Sequence, residues 1–321
     1  MLMIKRFPFI VSVISFVLFS KNNAFGKTSK NILFSQIVRL YSMRLNITED
    51  KVIIRNSYNA IEFEKNGRRA WINGTMIYLH EPSRRLGINW SIIDVDFNNY
   101  IDPIIRSYKY SNNRIPKKIV IDPGHGGKDS GAISKKQLYE KSVTLNISLY
   151  LKLFLEKYGF EVYLTRYDDR YVSLQSRINF TTKIKADLFV SIHADSAVAS
   201  ANGVGTFITT SEGLDSSNHY GKKDDKSSVI NNRFDPANAI LGFSLHSNLL
   251  KTSKRKDRGL RRARFSVIKN APCPAALVEC GFLSNISEEA LLRDKKYLQN
   301  VAYGITNGIR AYKILIERAT S

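Results

Sequence analysis

Three short apolar runs, each stopping at an ionisable side chain, limit the folds open to this chain. Ile119-Val-Ile121 leads through Asp122, Pro123 and Gly124 to His125; Leu188-Phe-Val-Ser-Ile192 leads to His193; Ala275-Ala-Leu-Val278 leads to Glu279. Runs of this length, bounded by turn residues, read as strands buried on both faces, as in a parallel sheet. Such sheets bind ligands just beyond the carboxyl ends of their strands. That is where the two histidines and the glutamate stand.

A helix supplies a fourth group. Between Tyr139 and Tyr158 the residues Val143, Ile147, Leu151, Phe154 and Leu155 recur at helical spacing, and Gly159 stops the run. Glu140 opens this helix close to the glycine turn of His125. Singly, a histidine in a glycine turn or an acid in a first helical turn is ordinary. Two core strands that both end in histidine, with a glutamate on the helix between them, are hard to explain as packing. Two imidazoles and one carboxylate make the three-ligand set of catalytic zinc, with a fourth position open. Glu279 belongs to the same edge, because a carboxylate at the end of a core strand is costly unless a charge or hydrogen bond offsets it.

The other elements are plainer. Glu161–Leu164 predicts a strand ending in Thr165 and Arg166, and Leu174–Ile184 a helix with Arg177 on its polar side. Gly203–Thr209 reads as a further strand. Ser211–Asn238 is polar and irregular, a surface loop or lid with His219 exposed in it. Asn238–Leu250 reads as a helix carrying His246. Lys251–Lys269 is densely basic with Asp257 its only acid, either a grip on an acidic polymer or a solvated loop and helix end. Ser287–Leu292 and Lys296–Ile316 close the chain as helices.

The front differs in character. Residues 1–26 read as a secretory signal: Lys5 and Arg6, then the apolar run Phe7–Phe19, then Ala24-Phe-Gly26 with cleavage after Gly26. The protein is therefore expected to be exported, to the periplasm or cell envelope, with no transmembrane segment after signal cleavage. Residues 27–111 predict a small β-rich module. It has a helix from Asn31 to Met43, four short strands within Val52–Leu79 separated by Lys65-Asn-Gly67 and Asn73-Gly74, and a helical run over Asp94–Ile105. Its hairpin pattern resembles the N-terminal domain of copper amine oxidases. Tyr108–Pro116 reads as a linker, with 112–116 the connection to a catalytic domain at 117–321. Net charge is +21, and loss of Lys5, Arg6 and Lys21 lowers it by three to +18, which suits a polyanionic partner. Export makes that partner an envelope polymer and not nucleic acid. The only cysteines, Cys273 and Cys280, are open to pairing in an oxidising compartment or to simple burial.

Taken together, Asp122-Pro-Gly-His-Gly-Gly127, Glu140-Lys141, Leu164-Thr-Arg166, Ser191-Ile-His-Ala-Asp195 and Val278-Glu-Cys-Gly-Phe-Leu-Ser-Asn285 resemble the bacterial zinc-dependent N-acetylmuramoyl-L-alanine amidases of the amidase-3 type. The resemblance runs from about Lys117 to Tyr312 in the family's order. It implies an α/β fold, a twisted, largely parallel central sheet flanked by helices on both faces. It also implies Zn2+ held by His125, Glu140 and His193, Glu279 as catalytic acid/base, and peptidoglycan as substrate, cut between N-acetylmuramic acid and L-alanine. Arg166 or the basic stretch at 251–269 is expected to meet the peptide's carboxylates, and an activator protein is a further expectation. Two departures stand out. Ser211–Asn238 lacks the amphipathic blocking helix of division-associated members, and Cys280 stands where many relatives carry threonine or another small residue. The rival readings are a zinc peptidase acting within stem peptides and a non-catalytic wall-binding module. A binder has no use for all four groups.

Overall fold

The computed structural model describes residues 30–110, 114–217 and 225–320. The signal segment, residues 111–113 of the expected linker, and His219 lie outside them.

The three diagnostic runs become β9 (Lys118–Pro123), β11 (Leu188–Asp195) and β14 (Ala275–Phe282), which lie side by side and run parallel. β10 (Glu161–Leu164) flanks β9 in parallel on the outside. On the other side β12 (Val204–Thr209) is antiparallel to β14 and parallel to β13 (Asp257–Ala263). Alternate residues feed two cores, as a two-period strand requires. Ile119, Ile121, Val190, Ile192, Ala276 and Val278 pack with the helices Glu140–Lys157, Asp235–Ser253 and Lys295–Thr320. Val120, Phe189, Ala275 and Leu277 pack on the opposite face with Ile184, Val267 and Ile268. Both faces are covered, which is why these strands read as continuous apolar runs.

The N-terminal residues form strands of the same sheet. After β1 (Asn31–Leu33) and the helix Phe34–Tyr41 come β2 (Arg44–Ile47), β3 (Lys51–Arg55), β4 (Ala60–Glu64), β5 (Arg69–Ile72) and β6 (Thr75–Tyr78), an antiparallel meander. β6 pairs with β13 through Leu260 and Ile77, so eleven strands make one sheet. β7 (Arg84–Leu86) and β8 (Asn89–Ile93) join β1 in a second, three-stranded sheet. The core is shared too, since Phe34, Ile61 and Phe63 belong to the same buried cluster as Ile119 and Val278. The chain enters β9 pinned, because Arg114 and the Lys117 amide both bond the Asp187 carboxylate.

The helical run at 94–105 contains a π turn, Phe97–Ile101. Such turns commonly mark functional or packing demands. Here the run presents Asp96 to Arg262 at 2.5 Å and the Tyr100 hydroxyl to the Leu260 carbonyl at 2.8 Å, both on β13.

Three expectations need correction, and the two readings left open for the cysteines are decided. Lys251–Lys269 is not a solvated loop: its middle is β13, and Arg262 is buried there against Asp96 and the Tyr100 ring. Arg177 does not face solvent. It is buried and ion-paired to Asp122 at 2.6 Å. The helix expected from Asn31 is shorter, because residues 31–33 pair with β8 instead. Cys273 and Cys280 are both free and buried. Five of the seven steps between them run along β14, about 17 Å at strand rise, too far for a disulfide.

Candidate metal centre

β9 ends at Pro123, and the chain turns through Gly124 to His125, whose φ of +62° is left-handed. The turn has no room to spare. A Cβ on Gly124 would lie 2.5 Å from the His193 ring, so only glycine lets the two strand ends approach. Gly131 faces the same constraint from the other side, where a Cβ would fall 2.5 Å from Glu140 Oε2 and 2.7 Å from the His125 ring.

Two buried arginines hold this turn by its carbonyls. Arg177 donates to the carbonyls of Pro123 at 2.7 Å and His125 at 2.8 Å, while its charge meets Asp122. Arg166 donates to the carbonyls of Pro123, Gly124, Lys141 and Asp168. Thr144, on the helix that starts with Glu140, bonds the Gly124 carbonyl at 2.9 Å and ties helix to turn. Arg166 was expected to meet substrate. It is fully enclosed, and its guanidinium donors go to main-chain oxygens and the Thr144 hydroxyl, so it shapes the site from beneath.

Above this scaffold three side chains converge. Glu140 Oε1 lies 3.1 Å from His125 Nε2 and 2.9 Å from His193 Nδ1. The potential ligand atoms of the three residues all fall within 4.8 Å of one another, the one such grouping among the described residues. The spacing suits a single small cation. Ligand atoms about 2.0–2.2 Å from a tetrahedral ion sit roughly 3.3 Å apart. The donor set, two imidazoles and a carboxylate, suits zinc chemically. Outer contacts fit as well. His125 Nδ1 meets Asp129 Oδ1 at 3.0 Å, leaving Nε2 to face the centre, and the Ala132 amide donates to Glu140 Oε2 at 2.9 Å. Asp129 was not singled out from the sequence; its place four residues after His125 in a turn was the only signal.

Electrostatics agree. Burial opposes ionisation of Glu140, but the hydrogen bonds from His125 and His193 outweigh it and hold the carboxyl well below its usual range. Burial likewise disfavours the His125 cation, and the contact with Glu140 more than compensates, raising its pKa.

Glu279 stands opposite. In the β11–β14 register it pairs with His193, and it lines a cavity of about 410 Å³ together with His125, Glu140 and His193. Its Oε2 is sealed from solvent with no hydrogen-bond partner among the described residues. Burial, then the charges of Asp195 and Glu140, push its pKa well above the carboxylate norm. All four groups named from the sequence thus meet at one cavity.

Residues 119–311 match the family described as N-acetylmuramoyl-L-alanine amidase, well over half of the chain. The chain belongs to that family. Among relatives of this amidase-family chain, the N-acetylmuramoyl-L-alanine amidase AmiC of Escherichia coli is 34% identical over 61% of this chain and 53% of its own length. A probable cell wall amidase, LytH of Staphylococcus epidermidis, is 35% identical over 63% and 60%. The match therefore spans only about half to three-fifths of these two relatives. Among solved structures, the catalytic domain of CwlV, an amidase from Bacillus (Paenibacillus) polymyxa, is 35% identical with a TM-score of 0.52, covering 61% of this chain and 97% of that domain. The CwlD amidase from Clostridioides difficile, in complex with the GerS lipoprotein, is 29% identical with a TM-score of 0.51, over 61% and 98%. These likenesses agree with the mixed sheet and flanking helices.

Proposed function

We propose that the protein hydrolyses the amide bond between N-acetylmuramic acid and the L-alanine of the peptidoglycan stem, with Zn2+ as cofactor. The observation that carries this reading is the cavity where His125, Glu140 and His193 converge while Glu279 offers an unpartnered carboxyl oxygen. His125, Glu140 and His193 would hold the ion. What zinc supplies in such a site is Lewis acidity, toward a water molecule and toward the amide carbonyl.

The chain's own groups do the rest. The Glu279 carboxylate lines the cavity beside the two imidazoles, placed to accept a proton from the attacking water and to return it to the departing L-alanine nitrogen. Burial, with the charges of Asp195 and Glu140, raises its proton affinity, which suits it to take the proton of the water and hold it for the second transfer. Asp129 holds the His125 ring in orientation, and the Arg166–Arg177 scaffold fixes the turn that carries it. This arrangement fits hydrolysis better than wall binding alone, because an unpaired buried carboxyl is a cost that mere binding does not require.

The reading includes export by a cleaved signal at residues 1–26. No helix among the described residues is long and apolar enough to cross a membrane. It also includes a protein activator, on the likeness to CwlD, whose solved complex contains a lipoprotein.

The test is mass analysis of fragments released from purified peptidoglycan, with and without a chelator. Free muramic-acid ends and intact stem peptides beginning with L-alanine are expected, and chelation should abolish them. New termini inside the stem would make the protein a peptidase, and undigested sacculi would leave it a binder.

A further inference from the structure

A second cavity of about 410 Å³ adjoins the metal centre and shares Asp195, Ser196, Phe265 and Glu279 with it. Arg258 and Arg261 line it, with Phe207 and Phe282 as apolar walls. Residues three apart on a regular strand point to opposite faces. Here the β12–β13 register slips between the Val204 and Thr206 pairings and Gly259 takes φ +84°, so one bulge aims both guanidinium groups into the same space.

The two arginines are held differently. Arg261 is fixed, its Nε donating to the Arg258 carbonyl at 2.9 Å and its guanidinium lying 4.2 Å from the Tyr78 ring centre. The Arg258 guanidinium lies over the Phe282 ring at 4.7 Å and makes no hydrogen bond or ion pair among the described residues. A cation with free donors beside a second cation is a receptor for a planar anion, which guanidinium grips through two hydrogen bonds.

The sheet sets the distance from the chemistry. Glu279 on β14 pairs with Gly205 on β12, and β13 is the next strand over. Two strand spacings make about 10 Å. Gly205 puts no side chain between them: a Cβ there would stand 3.8 Å from the Arg258 Cβ. An open path thus runs from the proton-transfer group to the arginines. In the stem peptide the residue after L-alanine is a glutamate joined through its side-chain carboxyl, which leaves its α-carboxylate free. That carboxylate lies about two extended residues, roughly 7 Å, from the bond cut, and an arginine side chain spans the remainder.

We propose that Arg258 and Arg261 form the subsite for this α-carboxylate, so that the peptide leaves the metal centre across Gly205 toward β13. The assignment rests on the amidase reading above and adds the direction of the bound substrate. It also gives the N-terminal residues a part in specificity, since Tyr78 supports Arg261.

The experiment compares two synthetic muramoyl peptides that differ only at this group, one with the free α-carboxylate and one with it converted to an amide. The zinc-loaded wild-type protein is expected to show kcat/KM on the order of 10- to 100-fold higher for the acid, the range of a charge-assisted contact. Arg258→Gln should move that ratio toward one, and Arg258→Lys should keep most of it. Calorimetric titration with the free dipeptide, acid against amide, should show the same split in affinity without turnover. A wild-type ratio near one, which needs no variant, would overturn the subsite, as would a ratio unchanged in Arg258→Gln. If neither peptide is cut at the muramoyl bond, the amidase reading fails and the subsite falls with it.

Discussion

One sheet carries two unlike halves. In β9, β11 and β14 the strands run parallel, so their carboxyl ends share an edge and His125, His193 and Glu279 collect there. In β2–β6 the strands alternate direction, and no shared edge exists at which side chains can gather. Charges differ in the same way. The N-terminal half spends its buried ions on packing, as Asp96 does with Arg262 and two main-chain amides. At the metal edge Glu279 keeps a sealed oxygen unpartnered. An unpartnered oxygen does not mark function by itself, since Asp94 Oδ1 in the N-terminal half is also buried without a partner among the described residues; what sets Glu279 apart is that it shares a cavity with His125, Glu140 and His193. Changes at the metal edge should cost activity and spare stability, and changes in the other half, Tyr78 beside Arg261 apart, should do the reverse.

Glu279→Gln is the sharpest form of that contrast. Loss of the proton acceptor should lower kcat by roughly 10²–10⁴-fold, read by fragment release, with zinc content unchanged by elemental analysis. The stability sign is worked from its raised pKa. Ionisation of a carboxyl whose folded pKa is raised costs native stability above its unfolded pKa, so a neutral glutamine leaves the metal-free protein as stable at pH 7, or more so. A fall in zinc content would make Glu279 a ligand and erase its separate role.

Asp96→Ala tests the other half. Removing one partner of a buried pair leaves Arg262 charged and uncompensated, at a cost of about 3–5 kcal/mol, measured by urea denaturation. Activity per folded molecule should hold. An equal loss of kcat in the fully folded variant would show that the N-terminal half reaches the chemistry and that the comparison is drawn too sharply.

Asp129→Ala sits between these extremes. The carboxylate bonds His125 Nδ1 and the Gly131 amide and so orients the ring from outside the ligand set; zinc affinity should weaken by 10- to 100-fold, as expected for outer partners of metal ligands. Competition with a chromogenic chelator reads it directly. Unchanged affinity would mean that the glycine turn alone orients the ring.

Legibility in the sequence follows the same division. Three of the four site residues were readable because apolar runs announce core strands and each run stops at the group it delivers; Glu140 was readable from the helical spacing that follows it. Arg166 and Arg177 were misread because arginine is normally a surface residue, and the carbonyls they hold leave no trace in side-chain order. β13 was hidden by its own charges, since Asp257-Arg-Gly-Leu-Arg-Arg-Ala263 looks solvated until Asp96 arrives from 166 residues away. β2 was missed although Arg44-Leu-Asn-Ile47 alternates polar and apolar residues, because the run is only four residues long and all four are exposed. The strand pairing between the two halves has a single registered pair, Leu260 with Ile77, which no local signal encodes.

The mildest change bears on that union. Ile61 is fully buried on β4, in the cluster that also holds Ile119 and Val278, yet it lies far along the sheet from the metal edge. Ile61→Val deletes one methylene and should cost about 0.5–1.5 kcal/mol, with kcat and zinc affinity unaltered. If the shared core makes the eleven-stranded sheet one cooperative unit, fluorescence from Trp71 and Trp90 and loss of activity should fall together in urea, both shifted by the same amount. If the tryptophan signal moves to lower urea while activity keeps its wild-type midpoint, the N-terminal half unfolds by itself. The contact through β6 and β13 would then be a docking seam instead of a continuous core.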